Sequence, residues 1–525
     1  MSTQTFVYND VNVEVTVRRE GSQTTVTHEV LSGGGPVDPP EQDGPWEITE
    51  QDDVVSYRLT RNAQLPEGFT VPPGNRQVDI DLSGHTLSFG TDDQSYDGGE
   101  LRVGWRYWCE PHTGTLRRVS PGSTMTFKPG KDNLAFFSYL PSEGDEPFRV
   151  LNDNGEEVPV RCAIDCPYGI FSDVRGGSFT VRNGSVRQIG TQPKSTGVAT
   201  RYREMTVDSV TVVMQGAFDS RGVASRVGSS PKTVTMTGTT VDCSLCGRSS
   251  NRNRVDYACA AHAANILGCT VIGGPHVALL LAPDASCLDS RVTANSIQTN
   301  GFAVLGQGGE RVGGLDVDGH GRGIAPGSNS VWEDVLIDVE EINQNLEYGG
   351  VVIGGCYGIQ IEKHSEILLS NISSTVTARL AEASALRIGG SGGGSTRIVV
   401  RDCTFTAVSE GLPARILKFT DDIAVGDVQF ENCRAWTNDA VVLGMNNAHV
   451  SLEGMALVLE PKSPAQPEIT DPSERALFFG GYQREDGHYM TIYAPADQYG
   501  NLNLNVYRER RYPWGLETRA TVVLV

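Results

Sequence analysis

A short motif returns along most of this chain and constrains its fold more than any other feature. It reads "FTVRNGSV", "MTVDSVTV", "VTMTGTTV", "IVVRDCTF", "VQFENCRA" and "VSLEGMAL". Each copy runs apolar, any, apolar, any, then Asn, Asp, Ser or Gly, two further positions, and an apolar or small residue. With the second apolar residue as position zero, the series is Val181, Val207, Met236, Ile266, Cys287, Val312, Trp332, Leu369, Val400, Phe430 and Leu452, a mean step of about 27 residues. Two positions beyond each stand Asn183, Ser209, Gly238, Gly268, Asp289, Gly314, Asp334, Asn371, Asp402, Asn432 and Gly454. All are residue types that tolerate left-handed or turn backbone.

Period-two alternation on either side of a corner describes a coil of short strands. Positions −2, 0, +3 and +5 face inward, +4 and +6 face outward, and +2 is the corner. One turn of such a coil cannot bury its own apolar face, but turns stacked about 4.8 Å apart share a continuous core. The fold expected is all-β, a right-handed parallel β-helix, and the repeat resembles pectate-lyase-like solenoids over roughly residues 55–460. "QVDIDLSGHTL" (Gln77–Leu87) carries the same signature, with Leu82 read as zero, Gly84 as the corner and Leu87 inward. A leucine-rich repeat would need its Leu/Asn consensus, and a propeller would need longer blades.

Around this coil the chain changes character. Residues 1–30 alternate as a small N-terminal β module with Gly21-Ser22 at a turn, and 31–47 form a Gly/Pro linker. Residues 48–90 read as the opening cap and first turn. The repeat is lost over 91–165, where Trp105, Tyr107, Trp108, Phe127, Phe136, Phe137, Tyr139 and Phe148 gather, and an inserted β-rich subdomain is expected. Its aromatics form a small core or, at Trp105, Tyr107 and Trp108, a sugar-stacking surface. The β-helix proper is placed at 166–460. Beyond the Pro-rich connector "EPKSPAQPEITDPSE", residues 461–525 read as a C-terminal β module that caps the coil or joins subunits.

With 64 acids against 43 bases in 525 residues, the formal net charge is −21, which disfavours nucleic acid or an anionic membrane as partner. The start "MSTQTFVYNDVNVEVTVRRE" has no apolar signal core, and no apolar run reaches the ~18 residues of a membrane span. Eleven scattered cysteines read as reduced thiols of a protein made in a cytosol. Cys243 and Cys246 form one CxxC, with Cys259 and His262 downstream. Without a second pair, ordinary buried thiols are favoured over zinc. "GGSGGGSTR" (Gly389–Arg397) lacks the Lys-Ser/Thr ending of a phosphate loop, so no cofactor is expected.

A small N-terminal module, a linker, a long β-helix and a C-terminal β module resemble the arrangement of bacteriophage tailspike and receptor-binding proteins. That resemblance implies a homotrimer in the virion tail, made in host cytoplasm and fixed to a tail or baseplate protein through the N-terminus. Its solenoid flanks would bind host surface polysaccharide and, in some members, cleave it. The alternatives are a structural virion fibre without glycan chemistry and, less favoured, a free polysaccharide hydrolase or lyase. Gly319-His320-Gly321 echoes polygalacturonases, but no Asp-Asp pair stands nearby and their Asn-Thr-Asp and Arg-Ile-Lys elements are missing.

The register singles out one acidic group. With Val312 as zero, Asp316, Asp318 and His320 fall at +4, +6 and +8. With Trp332 as zero, Leu336, Asp338 and Glu340 occupy the same offsets. Asp318 and Asp338 should therefore stack on adjacent turns, with His320 and Glu340 stacked beside them and Asp242 on the same face several turns away. Adjacent rungs approach the ~5–5.5 Å separation of a retaining glycosidase pair, and mutual repulsion would raise one pKa. The competing readings are a solvated acidic face, a cation site or passive glycan contact. Cys269, Cys403 and Cys433, all at +3, are expected to be buried.

Overall fold

A computed structural model describes side chains over most of residues 44–89, 168–341 and 355–437, apart from connecting loops. Elsewhere it describes chiefly the backbone of strands. The chain divides into two compact units, Met1–Glu47 and Ile48–Val525. The first holds three antiparallel strands, Ser2–Tyr8, Val11–Glu20 and Gln23–Val30, with Tyr8 opposite Val11 and Glu20 opposite Gln23. The Gly/Pro linker lies outside the described residues as far as residue 43.

The second unit is a parallel β-helix, and its register follows the repeat. Val181 pairs with Val207, then Met236, Ile266, Cys287, Val312, Trp332, Leu369, Val400 and Phe430 in one unbroken parallel ladder. Leu452 itself lies outside the described residues. Every corner residue, from Asn183 to Gly454, has positive φ, between 49° and 75°. Glycine pays little for that conformation, and Asn and Asp pay less than other side chains. Their side chains also bridge rungs: the Asn371 amide donates to Asp334 and the Asn432 amide to Asp402, each at 2.6 Å.

At several corners the +1 carbonyl accepts a backbone N–H from the preceding turn, as Leu267 O does from Gly238, and in five described turns a side chain at +3 donates to it as well. Thr239 donates to Thr237 O, Cys269 to Leu267 O, Ser290 to Leu288 O, Cys403 to Arg401 O and Cys433 to Glu431 O. Thr, Ser and Cys recur there because each is small enough to bury and carries a donor. Cys269, Cys403 and Cys433 are buried as expected. Burial pushes the Cys269 thiol upward and that of Cys287 up to about 12, which leaves these groups protonated and unreactive.

The first turn differs in detail from the sequence reading. Val181 faces Ile80, not Leu82, while Val186 faces Leu87 as expected. The first corner is two residues wider than the others. Ser83 and Gly84 both adopt positive φ, and Leu82 is tucked inside the corner, fully buried. An apolar residue folded into the turn mimics a strand position, which is why spacing alone misplaced the zero.

Each turn contains a third strand, including Thr196–Thr200, Arg221–Ser225, Arg322–Ala325, Cys356–Ile361 and Ala383–Ile388. Near its start stands a glycine in several turns, as at Gly197, Gly222, Gly323 and Gly358. A Cβ at Gly323 would stand 2.3 Å from Gly358 O and 2.7 Å from Ile337 Cγ2; one at Gly222 would stand 2.2 Å from Val241 Cγ1. These glycines let the third sheet close on the strands that follow the corner. Near the N-terminal end, buried Arg203 donates to Gly176 O at 2.8 Å, Pro72 O at 3.0 Å, Arg76 O at 3.2 Å and Gly74 O, binding the opening loop to the coil.

Between Thr86–Phe89 and Tyr168–Ser172 the chain leaves the coil for two small sheets. One has five strands, among them Arg106–Cys109 and Ala135–Tyr139, and one has three. At the other end parallel pairing continues: Phe478–Phe479 lies on Val442–Leu443, Met490–Ala494 lies on His449–Ser451, and Thr518–Leu524 lies on Met490–Ala494. The C-terminal strands thus add rungs to the ladder, and Gly481–Tyr482 pairs antiparallel with Thr518–Arg519 at the end.

Candidate functional site

Two strands on neighbouring turns, Arg311–His320 and Ser330–Glu340, carry the acidic group. Their inward residues Leu315, Val317, Val335, Ile337 and Val339 are buried, which forces the alternate residues outward. Asp318 is directly opposite Asp338, and His320 is opposite Glu340. Asp318 and His320 are half-buried, and Asp338 and Glu340 are exposed. Rungs about 4.8 Å apart bring the two aspartates onto one face as neighbours. The expected stack is present in register.

The members of the cluster are not equivalent. Asp316 faces Arg291 on the turn below and forms an exposed ion pair with it at 3.6 Å, so its charge is partly answered. Beneath Asp318 stands Thr293, and above Asp338 stands Thr375. The Asp338 carboxyl is held above the usual carboxylate range, first by loss of hydration against the sheet, then by the charges of Glu340, Asp318 and Asp316. Glu341, just past the strand, accepts the Arg379 N–H and does not join the group. Asp242 lies on the same outward column, three rungs from Asp318, and accepts the Ser244 N–H at 2.9 Å.

Such an arrangement can offer a proton and a carboxylate to one bound molecule from adjacent positions.

Trp105 lies outside the described residues. Tyr107 and Trp108 belong to the strand Arg106–Cys109 of the insert, whose side chains are likewise outside the description. Cys243 and Cys259 are buried thiols, and Cys246 is not described. His262 is half-buried in the third sheet, where desolvation and then Arg221 push its pKa down to about 4.

One concentration of charge escaped the sequence reading. On the third sheet the Arg322 guanidinium lies 5.1 Å from the Phe302 ring centre and 5.5 Å from that of Tyr357, and Arg387 lies 4.6 Å from Tyr357. Glu382 pairs with Lys418 and, at 3.5 Å, with fully buried Arg415. Burial draws the Glu382 pKa upward, but the two cations outweigh it and hold the carboxyl below its usual range. These residues come from separate turns, and only the third-sheet register (Tyr357–Ser384–Arg415 and Gln360–Arg387–Lys418) collects them.

No family model and no curated protein sequence matches the chain. Among solved structures it is similar to the tailspike gp61 of Pseudomonas phage phi297, with 10% identity over 80% of this chain and 71% of that one, at a TM-score of 0.24. It is also similar to the tailspike gp49 of Acinetobacter baumannii bacteriophage Fri1, described as a capsular polysaccharide depolymerase. That match has 9% identity over 79% of this chain and 60% of that one, at a TM-score of 0.26. A third likeness is to the tailspike gp49 of Pseudomonas phage LKA1, with 10% identity over 81% and 73% and a TM-score of 0.23. At these scores the superpositions are loose, and the parallel β-helix is established by the strand register itself.

Proposed function

We propose that this protein is a bacteriophage tailspike or tail fibre that attaches to host cell-surface polysaccharide and cleaves it at Asp318 and Asp338. The observation that carries the reading is the stacking of these two carboxyls on one outward face, with the Asp338 carboxyl raised by its surroundings. In this reading Asp338 gives its proton to the glycosidic oxygen while Asp318 attacks the anomeric carbon and the bond to the leaving sugar breaks. Water, deprotonated by the Asp338 carboxylate, then releases the sugar and restores both groups. The order of modules, which resembles that of tailspikes, goes with a homotrimer joined to the tail or baseplate through the N-terminal module.

The test is incubation of the purified full chain with a panel of host capsular and O-polysaccharides, followed by assay for new reducing ends or unsaturated sugars. New reducing ends are expected. With D318N and D338N combined, sedimentation should still give the trimer and cleavage should disappear. Retained cleavage removes this pair from the mechanism, and unsaturated products would replace hydrolysis with elimination. A trimer that neither binds nor shortens any host glycan overturns the reading in favour of a structural fibre.

A further inference from the structure

The outward column that holds Asp318 and Asp338 continues upward in register. Asp338 is followed by Thr375, Thr375 by Thr406, and Thr406 by Trp436. The strand Cys433–Thr437 alternates strictly, with Ala435 and Thr437 buried and Trp436 exposed at 38%. The exposed part of this indole lies on an outward face, and exposure of so large an apolar side chain opposes solubility without some return. Three rungs separate it from Asp338, a distance of about 14 Å at a strand spacing of about 4.8 Å.

The surface between the two is flat and hydroxylated. Thr375 and Thr406 lie on the column itself, and Ser373 and Thr404 lie beside them at position +4, paired with each other. All four are at least partly exposed. Such a strip offers donors and acceptors without charge, suited to sugar hydroxyls, while an aromatic face suits the apolar face of a pyranose ring.

We infer that Trp436 is a stacking platform for a pyranose of the same glycan chain that reaches Asp318 and Asp338, with the Thr/Ser strip as the path between. This rests on the glycan reading above. It adds a binding position and sets a minimum ligand length, because a fragment must span three rungs to touch both ends.

The experiment measures binding of the full chain to an array of purified bacterial capsular and O-polysaccharides, and to size-graded fragments of each one bound. Trp436→Ala should weaken binding of long chains roughly 30-fold, as truncation of an aromatic anchor does. Trp436→Phe should stay close to wild type. The effect of Trp436→Ala should fade for fragments too short to span the strip. Thr406→Arg, which places a bulky charge on the path, should also weaken binding of long chains. Circular dichroism and thermal melting should show both variants folded.

If the wild-type chain binds a polysaccharide and Trp436→Ala or Thr406→Arg binds it equally well, the platform is overturned while the glycan reading stands. A loss that is the same for short and long fragments also overturns it. If the wild-type chain binds none, both fall together.

Discussion

Asp338 shows what lost hydration, and then stacking beside other acids, cost a carboxyl. Its pKa is raised in the folded chain, so the acidic ladder is tolerated at low pH, and stability is lost as pH rises through the raised range of this group. Asp338→Asn removes the repulsion. Near neutral pH the variant should be more stable than wild type by a few tenths of a kcal/mol, the scale of a like-charge cross-strand contact screened by water. That gain should vanish in acid, and denaturant unfolding at both pH values measures it. Glu382 behaves oppositely. Lys418 and Arg415 depress its pKa, so its contribution is present above the ordinary carboxylate range and is lost as pH falls through the folded value. Glu382→Gln strands two buried cations and should cost about 3–5 kcal/mol, readable in the same unfolding experiment.

At the scale of a strand or a corner, small residues decide how elements meet. Gly323 sits where the third sheet approaches the strand Ser330–Glu340, with backbone oxygen 2.3 Å from where a Cβ would stand. Gly323→Ala must push Gly358 or Ile337 away, and should destabilise the chain by about 1–3 kcal/mol. It should also reduce any cleavage by displacing the strands that hold Asp318 and Asp338, a loss that thermal melting and product assay would follow together. The acid pair was legible in the sequence because strand alternation and the corner residue give each outward position a countable address. Trp436 was equally countable, at +6 from Phe430, but its significance depends on four strands lying in one register. The third-sheet cluster was not legible. Arg322, Tyr357, Glu382, Arg387, Arg415 and Lys418 share no motif, and loops of differing length separate their strands.

For the whole molecule, the corner rule reaches every turn from Asn183 to Gly454, while the wider corner at Ser83-Gly84 breaks it once. The rule was visible because left-handed backbone restricts residue type strongly; the exception was hidden because a buried leucine inside a turn looks like one in a strand. The inward columns and the corners carry the fold, and the outward positions take almost no part in it. One consequence concerns variation. Residues such as Asp318, Asp338, Thr375, Thr406 and Trp436 can be exchanged a rung at a time without disturbing the columns beneath them. If this face binds glycan as proposed, point changes along it could alter which glycan is bound while the scaffold stays the same.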